Sequence, residues 1–393
     1  MRKLGLGLLV SSIVAGGVIT VAACGASDET SSPPPIRGGD AATPGAEAGF
    51  ADGGAPPLID VNGIVLVHAA SFPAFRVCFD GASTEPPTPS ADLLPESNVV
   101  GVEVGAAVRL PPHGGILGRA YVFPELGLRQ YYPNGVGPSC AQLLNATGEA
   151  AAVDVGTVDT DLTRGVHLLV LGGCLGTAKD PVASKERCGE DWDATKGNLS
   201  LSTISLKAYA RQGDSRLPVQ LMQLSRALDR RAAGRALGIA FGSLDGGTEP
   251  RPFVEGAVPF GEVFPSSPAI LDYAASDNGS YATSGVFVTL GPDLDDAGLP
   301  IEAEGGADGG ADASSGREVL FTQSLADLQK RSAPRSLPMD WFAVRSSYLL
   351  LSLGDTDPRL GDGGVDDDPR RALHLLAIPL ADPATNDAGP PPL

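Results

Sequence analysis

The sequence predicts a mainly β protein built from two antiparallel β-sandwich modules, and three observations carry that reading. The 393 residues include 51 glycines and 34 prolines, a density of turn residues that breaks long helices and suits short strands. Apolar residues make up 42% and charged residues 19%, enough apolar material for real cores and too much for a wholly disordered chain. A strand–loop–strand pattern also occurs twice along the chain.

The strands follow in order. Ile64-Val65-Leu66-Val67-His68 is a short apolar run, and Phe75-Arg76-Val77-Cys78-Phe79 alternates before the turn dipeptide Asp80-Gly81. Residues 99–104 alternate weakly, and Ala120-Tyr121-Val122-Phe123 stops at Pro124. Residues 166–171 form a continuous apolar run closed by Gly172-Gly173, and residues 198–209 alternate with one slip. Such strands between Gly/Pro turns read as a sandwich. Helices are few. Gln142 to Leu144 allows one turn, and residues 324–331 allow a short helix with Leu325 and Leu328 on one face. Residues 219–235 fit both periods and are read as a strand followed by a turn.

Val166-His-Leu-Leu-Val-Leu-Gly172 resembles Tyr348-Leu-Leu-Leu-Ser-Leu-Gly354, each followed by a polar loop and a further strand. The repeat places module one at 58–211 and module two at 216–382. Residues 24–57 read as a disordered tether, because Ser31-Ser32-Pro33-Pro34-Pro35 and Gly53-Gly54-Ala55-Pro56-Pro57 lack any apolar period. Residues 291–316 read as a long acidic, Gly-rich loop inside module two, and 383–393 as a Pro-rich tail.

The start of the chain has the build of an export signal. Arg2 and Lys3 precede an uncharged stretch from Leu4 to Ser27. Val21-Ala22-Ala23-Cys24 resembles the bacterial lipobox, which implies cleavage after residue 23 and acylation of Cys24, with palmitate among its fatty acids. The rival readings are an ordinary signal and an uncleaved anchor, since an uncharged run above ~18 residues is long enough to span a membrane. A thiolate is the nucleophile that takes the lipid, and two or more chains give stable anchoring where one does not. Gly25 stands where lipoproteins of this kind carry Asp for inner-membrane retention, which implies the outer membrane.

A second resemblance covers about eighteen residues. Val67, His68, Ala69, Pro73, Val77, Asp80 and Gly81 match the first hairpin of a family of secreted bacterial Ig-like sandwich domains of unknown function. Ser71-Phe72 and Cys78 depart from that pattern. The family implies an Ig-like sandwich in the cell envelope and supplies no catalytic residues. Module two lacks the match and rests on the repeat.

With Cys24 lipidated, four cysteines remain, an even number that favours two disulfides with three possible connectivities. We expect Cys174 with Cys188 and Cys78 with Cys140, the latter tying the opening hairpin to the 131–138 loop. A four-cysteine zinc site lacks any C-x-x-C pair.

The chain offers no G-x-S-x-G elbow, S-x-x-K or H-E-x-x-H. Gly172-Gly173-Cys174-Leu175-Gly176 is not followed by Lys-Ser/Thr and reads as a turn rather than a P-loop. His68, His167 and His374 lie in or beside apolar runs, where a histidine is more often structural, and His113 sits in a Pro/Gly loop. Asp355, Asp357, Asp362, Asp366, Asp367 and Asp368 offer hard oxygen ligands of the kind calcium takes, but without the D-x-D-x-D-G frame, so a solvated loop is the plainer reading. Asp191-Trp192-Asp193 suits a sugar site or, more plainly, an aromatic cap on a sandwich end.

Acidic residues outnumber basic ones 47 to 28, and such a surface repels phosphate backbones, so no nucleic-acid partner is expected. The sequence therefore describes an outer-membrane lipoprotein with a binding or scaffolding role toward an envelope protein or glycan, with no cofactor and no catalysis expected. An exported hydrolase with an unrecognised site, and a structural filler without ligand, are the competing readings.

Overall fold

Apolar side chains collect into three large clusters that alternate with four β-sheets. The computed structural model describes residues 56–71, 74–80, 101–110, 115–124, 140–144, 152–180, 183–211, 216–245, 252–272, 284–295, 301, 317–332, 347–355 and 371–380. All of them belong to one compact unit, Gly45–Leu393.

The first half carries β1 (Leu58–Ile59), β2 (Gly63–His68), β3 (Phe75–Phe79), β4 (Ala107–Leu110), β5 (Gly118–Pro124), β6 (Val153–Val158), β7 (Val166–Gly172), β8 (Ser200–Leu206) and β9 (Ala208–Tyr209). They form a four-stranded sheet β4-β2-β7-β8, a three-stranded sheet β3-β5-β6 and the small pair β1-β9. Ile64, Leu66, Leu169 and Leu171 of the first sheet pack against Phe75, Val77, Phe79, Ala120 and Val122 of the second. This is a sandwich.

The second half carries β10 (Arg216–Gln223), β11 (Arg235–Ser243), β12 (Pro252–Gly256), β13 (Val263–Asp272), β14 (Ser284–Asp293), β15 (Glu318–Ser324), β16 (Tyr348–Leu353) and β17 (His374–Pro379). Its sheets run β13-β10-β16-β17 and β12-β11-β14-β15. Val219, Leu221, Tyr348 and Leu350 meet Leu237, Ile239, Val286, Val288 and Leu290 between them.

The two halves share one connectivity. Leaving out the small pair β1-β9 and the extra strand β12, the first strand of each half pairs in parallel with the sixth, β2 with β7 and β10 with β16. The sixth then pairs antiparallel with the seventh, β7 with β8 and β16 with β17. The strands β3, β5 and β6 correspond to β11, β14 and β15, with β12 an addition. The short internal repeat is therefore the visible part of a repeated seven-strand plan. The sandwiches are antiparallel apart from this one parallel pair in each, which arises because the first and sixth strands leave the same end of the layer.

Neither half stands alone. The outer face of β4-β2-β7-β8 lies on the outer face of β13-β10-β16-β17. Val65, Val67, Val166, Leu168 and Val170 pack there against Met222, Leu349, Leu351, Leu353, Leu376 and Ile378. The result is four sheets stacked as layers, the two middle ones buried on both faces. This explains why β2, β7, β16 and β17 read as unbroken apolar runs instead of alternating. The outer sheets are covered less evenly: β3 is buried throughout, whereas in β6 only Val155 and Val158 are buried. Polar ties cross the same joint. His374 places Nδ1 2.7 Å from Ala372 O and Nε2 2.8 Å from Gly105 O, linking the last strand of one sandwich to a turn of the other. Tyr209 N donates to Ser347 Oγ at 3.0 Å.

Four expectations change. The run from Ile64 to Phe79 is not a hairpin: β2 and β3 lie in different sheets. Of residues 99–104, the described part contributes only the bridge of Val102 to Phe75. After β10 comes a helix, Arg226–Ala232, rather than a turn, because Ser225 caps it and Leu228 fills the core. The acidic segment begins later than 291, since β14 runs to Asp293. The leader, Cys24 and the tether up to 55, the 131–138 loop, His113, residues 356–368 and the tail 383–393 lie outside the described residues.

Helices are short: α1 (Cys140–Leu143), α2 (Lys185–Cys188), α3 (Arg226–Ala232) and α4 (Leu325–Ser332). In α4, Leu325 and Leu328 share the buried face, and Ser324 Oγ accepts from Asp327 N at 3.0 Å. The cysteines pair as Cys78 with Cys140 and Cys174 with Cys188, their Cα atoms 5.7 Å and 5.6 Å apart. The first bridge packs α1 with Phe123 and Leu143 over the three-stranded sheet.

Because the middle core belongs to both halves, they should unfold together. Leu351→Ala is expected to cost about 2–5 kcal/mol and to lower one shared calorimetric transition; two transitions, only one of them moved, would contradict the shared core.

Candidate functional site

The joint between the sandwiches opens at one end into a cleft of about 300 Å3. Its position follows from the repeated topology. The carboxyl ends of the two parallel pairs converge there: β2 ends at His68, β7 at Gly172, β10 runs out to Leu224, and β16 to Gly354, all of which line the cleft. Both sixth strands leave through a glycine of positive φ, Gly173 (83°) and Gly354 (87°). A Cβ at Gly354 would collide with the Ala372 carbonyl, and one at Gly173 with that of Asn198, so the turns pass closer than any other residue allows.

On the first sandwich, the wall is a stapled loop. Asn198 is its clasp: Nδ2 donates to Cys188 O at 2.9 Å and to Asp191 Oδ1 at 3.0 Å, while Oδ1 accepts from Cys174 N at 2.9 Å. Ser71 Oγ donates to Asp180 Oδ2 at 2.5 Å and lies 3.2 Å from Cys174 Sγ, so the cross-over after β2 is held against the staple. Trp192 is buried over the bridge with Ala183 and donates Nε1–H to Leu175 O at 3.0 Å. The Asp191-Trp192-Asp193 triplet therefore holds its tryptophan as a cap on the sandwich end, not as an exposed sugar platform. Asp193 accepts from Thr195 N at 2.9 Å and Lys196 N at 2.8 Å. These two backbone donors, Lys196 first, hold its carboxyl below the ordinary value.

On the second sandwich, the wall is the start of α3. Ser225 Oγ donates to Gly354 O at 2.6 Å and accepts from Leu228 N at 3.1 Å, which fixes the helix end to the end of β16. Arg226 then extends along the cleft with its Cζ 3.7 Å from the centroid of the Phe260 ring. Phe260 is itself pinned, since it bridges to Gln223 and Gly261 N donates to Gln223 O at 2.8 Å. Arg187 of α2 reaches across to Asp355, Nε to Oδ2 3.6 Å, and Arg230 donates to Glu186 O. Asp355 is held by backbone bonds to Arg371 and Leu373.

Among the described residues, the walls thus carry the charged groups Arg187, Arg226, Arg371, Asp191 and Asp355. Apolar area comes from Ile204, Leu224 and Phe260. Of the predicted site residues, Cys174 and Cys188 line the cleft, while Cys78 and Cys140 lie at a different place, under α1. His68 is buried at the cleft floor, edge-on to Phe75 with ring centroids 4.8 Å apart. His167 lies elsewhere, its Nε2 2.7 Å from Arg164 O and its Nδ1 3.2 Å from Ser205 Oγ. Among the described residues, no three His, Cys, Asp or Glu side chains gather as metal ligands; Asp355 is the one member of the acidic loop among them, and it faces Arg187.

Sequence reasoning missed Arg187, Arg226, Phe260 and Asn198. The one local signal was Ser225 followed by Arg226-Ala-Leu228-Asp229, a capped helix start.

Chain searches against protein families and against curated proteins return no match.

Two outcomes follow. Removing the Cys174–Cys188 bridge by the double Ser variant is expected to cost about 3 kcal/mol, read by denaturant unfolding; an unchanged midpoint would show that the staple is idle. Asp193, with its folded value lowered, supports its loop above the free-carboxyl range near pH ~4 and releases it as pH falls further. Exchange protection of the Thr195 and Lys196 amides should persist from pH 7 down to about 4, and loss between pH 7 and 5 would refute that assignment.

Proposed function

We propose that this chain is a cell-envelope lipoprotein that binds a ligand in the cleft between its two sandwiches and does no chemistry on it. Anchoring rests on the lipobox-like Val21-Ala22-Ala23-Cys24 after a basic start, and the Pro/Gly-rich tether would hold the folded unit off the outer membrane. The observation that carries the binding role is the cleft, which both halves build from equivalent strand ends and which gathers charged and apolar groups in one place. Such a setting is where proteins bind small molecules.

A non-catalytic role is supported by what the polar groups of the wall are doing. Ser71 is held by Asp180, Asn198 by the two cysteine backbones, and Ser225 by Gly354. Each of these hydrogen bonds shapes the cleft rather than poising a nucleophile. The Ig-like resemblance of the opening segment fits an envelope role and adds no reactive group.

Anchoring has a direct test. Cys24→Ser should abolish labelling by radioactive palmitate, leave the unprocessed precursor and deplete the outer-membrane fraction at least tenfold. Normal processing and sorting of that variant would refute the lipoprotein assignment.

A further inference from the structure

Resting on the binding role just described, we infer that the cleft takes a small organic monocarboxylate with an apolar body, anchored by Arg226. Arg187 is already matched to Asp355 across the joint. Arg226 forms no ion pair with any described residue and stacks on the Phe260 ring. With Cζ 3.7 Å from the ring centroid, the flat face of the guanidinium is spent on the aromatic surface. Its N–H edge stays available, and that edge matches the two oxygens of a carboxylate.

The position of Arg226 is set before any ligand arrives. Its neighbour Ser225 is locked to Gly354, and Phe260 is locked to the end of β10. A guanidinium held this way loses little freedom on binding, which favours affinity. The donor geometry selects the class of anion. Arg226 offers one planar guanidinium edge, which suits the two oxygens of a single carboxylate. Ile204, Leu224 and Phe260 supply apolar contact for the rest of the molecule. A volume of about 300 Å3 sits at the lower end of ligand pockets, so it admits a small acid or a chain end, not a folded partner.

The test titrates the chain with 3-phenylpropionate, its amide, an N-acetylated dipeptide with a free carboxyl end, glucuronate and inorganic phosphate, by calorimetry and amide chemical shifts. At least one carboxylate should saturate the site at millimolar or lower concentration and bind tenfold or more better than the amide. Arg226→Gln should lose that binding at least tenfold while its thermal unfolding stays unchanged; Arg226→Lys, which keeps charge but not the planar fork, should fall between. Preference for the dipeptide would identify a peptide end as the source, whereas preference for glucuronate, whose body is polar, would overturn the apolar-body assignment. Carboxylates that bind no better than the amide, phosphate that binds tighter than every carboxylate, or wild-type affinity in Arg226→Gln would each overturn the inference. In the first and third cases, saturable shifts at the cleft would leave the binding role standing. Silence from every probe overturns the anion assignment and removes the support for a small-molecule cleft as well.

Discussion

The structure depends on burying both faces of its two middle sheets. A single sandwich hides one face of each sheet and leaves the other to water. Here Leu349, Leu351 and Leu353 point away from the second sandwich's own core and would be exposed without the first half. Each fully buried aliphatic side chain is worth about 1.5–3 kcal/mol, so the joint between the halves ranks with the cores inside them. The halves are modules by connectivity and one body by energetics. Polar bonds such as His374 to Gly105 then fix the alignment that apolar contact alone leaves loose.

That alignment creates the cleft. In each half the first and sixth strands run parallel, so their carboxyl ends emerge together. Stacking the two parallel pairs brings four such ends to one place, where the turns must diverge and leave space. Glycines at the exits allow tight turns. The loops that follow are free to carry function: a stapled loop on one side, a capped helix on the other. A rigid joint with loops at its mouth is a common way to hold binding groups.

Much of the fold was legible because the middle layers leave an unusual trace. Strands buried on both faces appear as the runs at 64–68, 166–171 and 348–353, and the repeat between the last two reflects real structural equivalence. The outer sheet of the second sandwich was not legible. In β11, Ala236, Gly238 and Ala240 alternate with Leu237 and Ile239, a small/large rhythm that no hydrophobic pattern separates from a helix or loop. The prolines in β13 argue against a strand, yet β13 lies at a sheet edge, where a missing N–H is tolerated. The pair Arg187 and Asp355 is separated by most of the second sandwich in sequence, and Arg226 meets Phe260 only through a layer crossing. Chemistry assembled by packing has no local signature.

The charge distribution bears on what the cleft can admit. The net charge of −19 belongs to the chain as a whole; the described residues carry 21 acidic and 19 basic side chains, so the described part of the fold is nearly balanced. At physiological salt, interactions between exposed charges fade beyond roughly 8 Å, so the proposed anion close to Arg226 would be governed by the guanidinium and its immediate neighbours rather than by distant carboxylates. The charges that matter for the cleft are therefore those on its own walls, and packing of the two halves, not overall charge, puts them there.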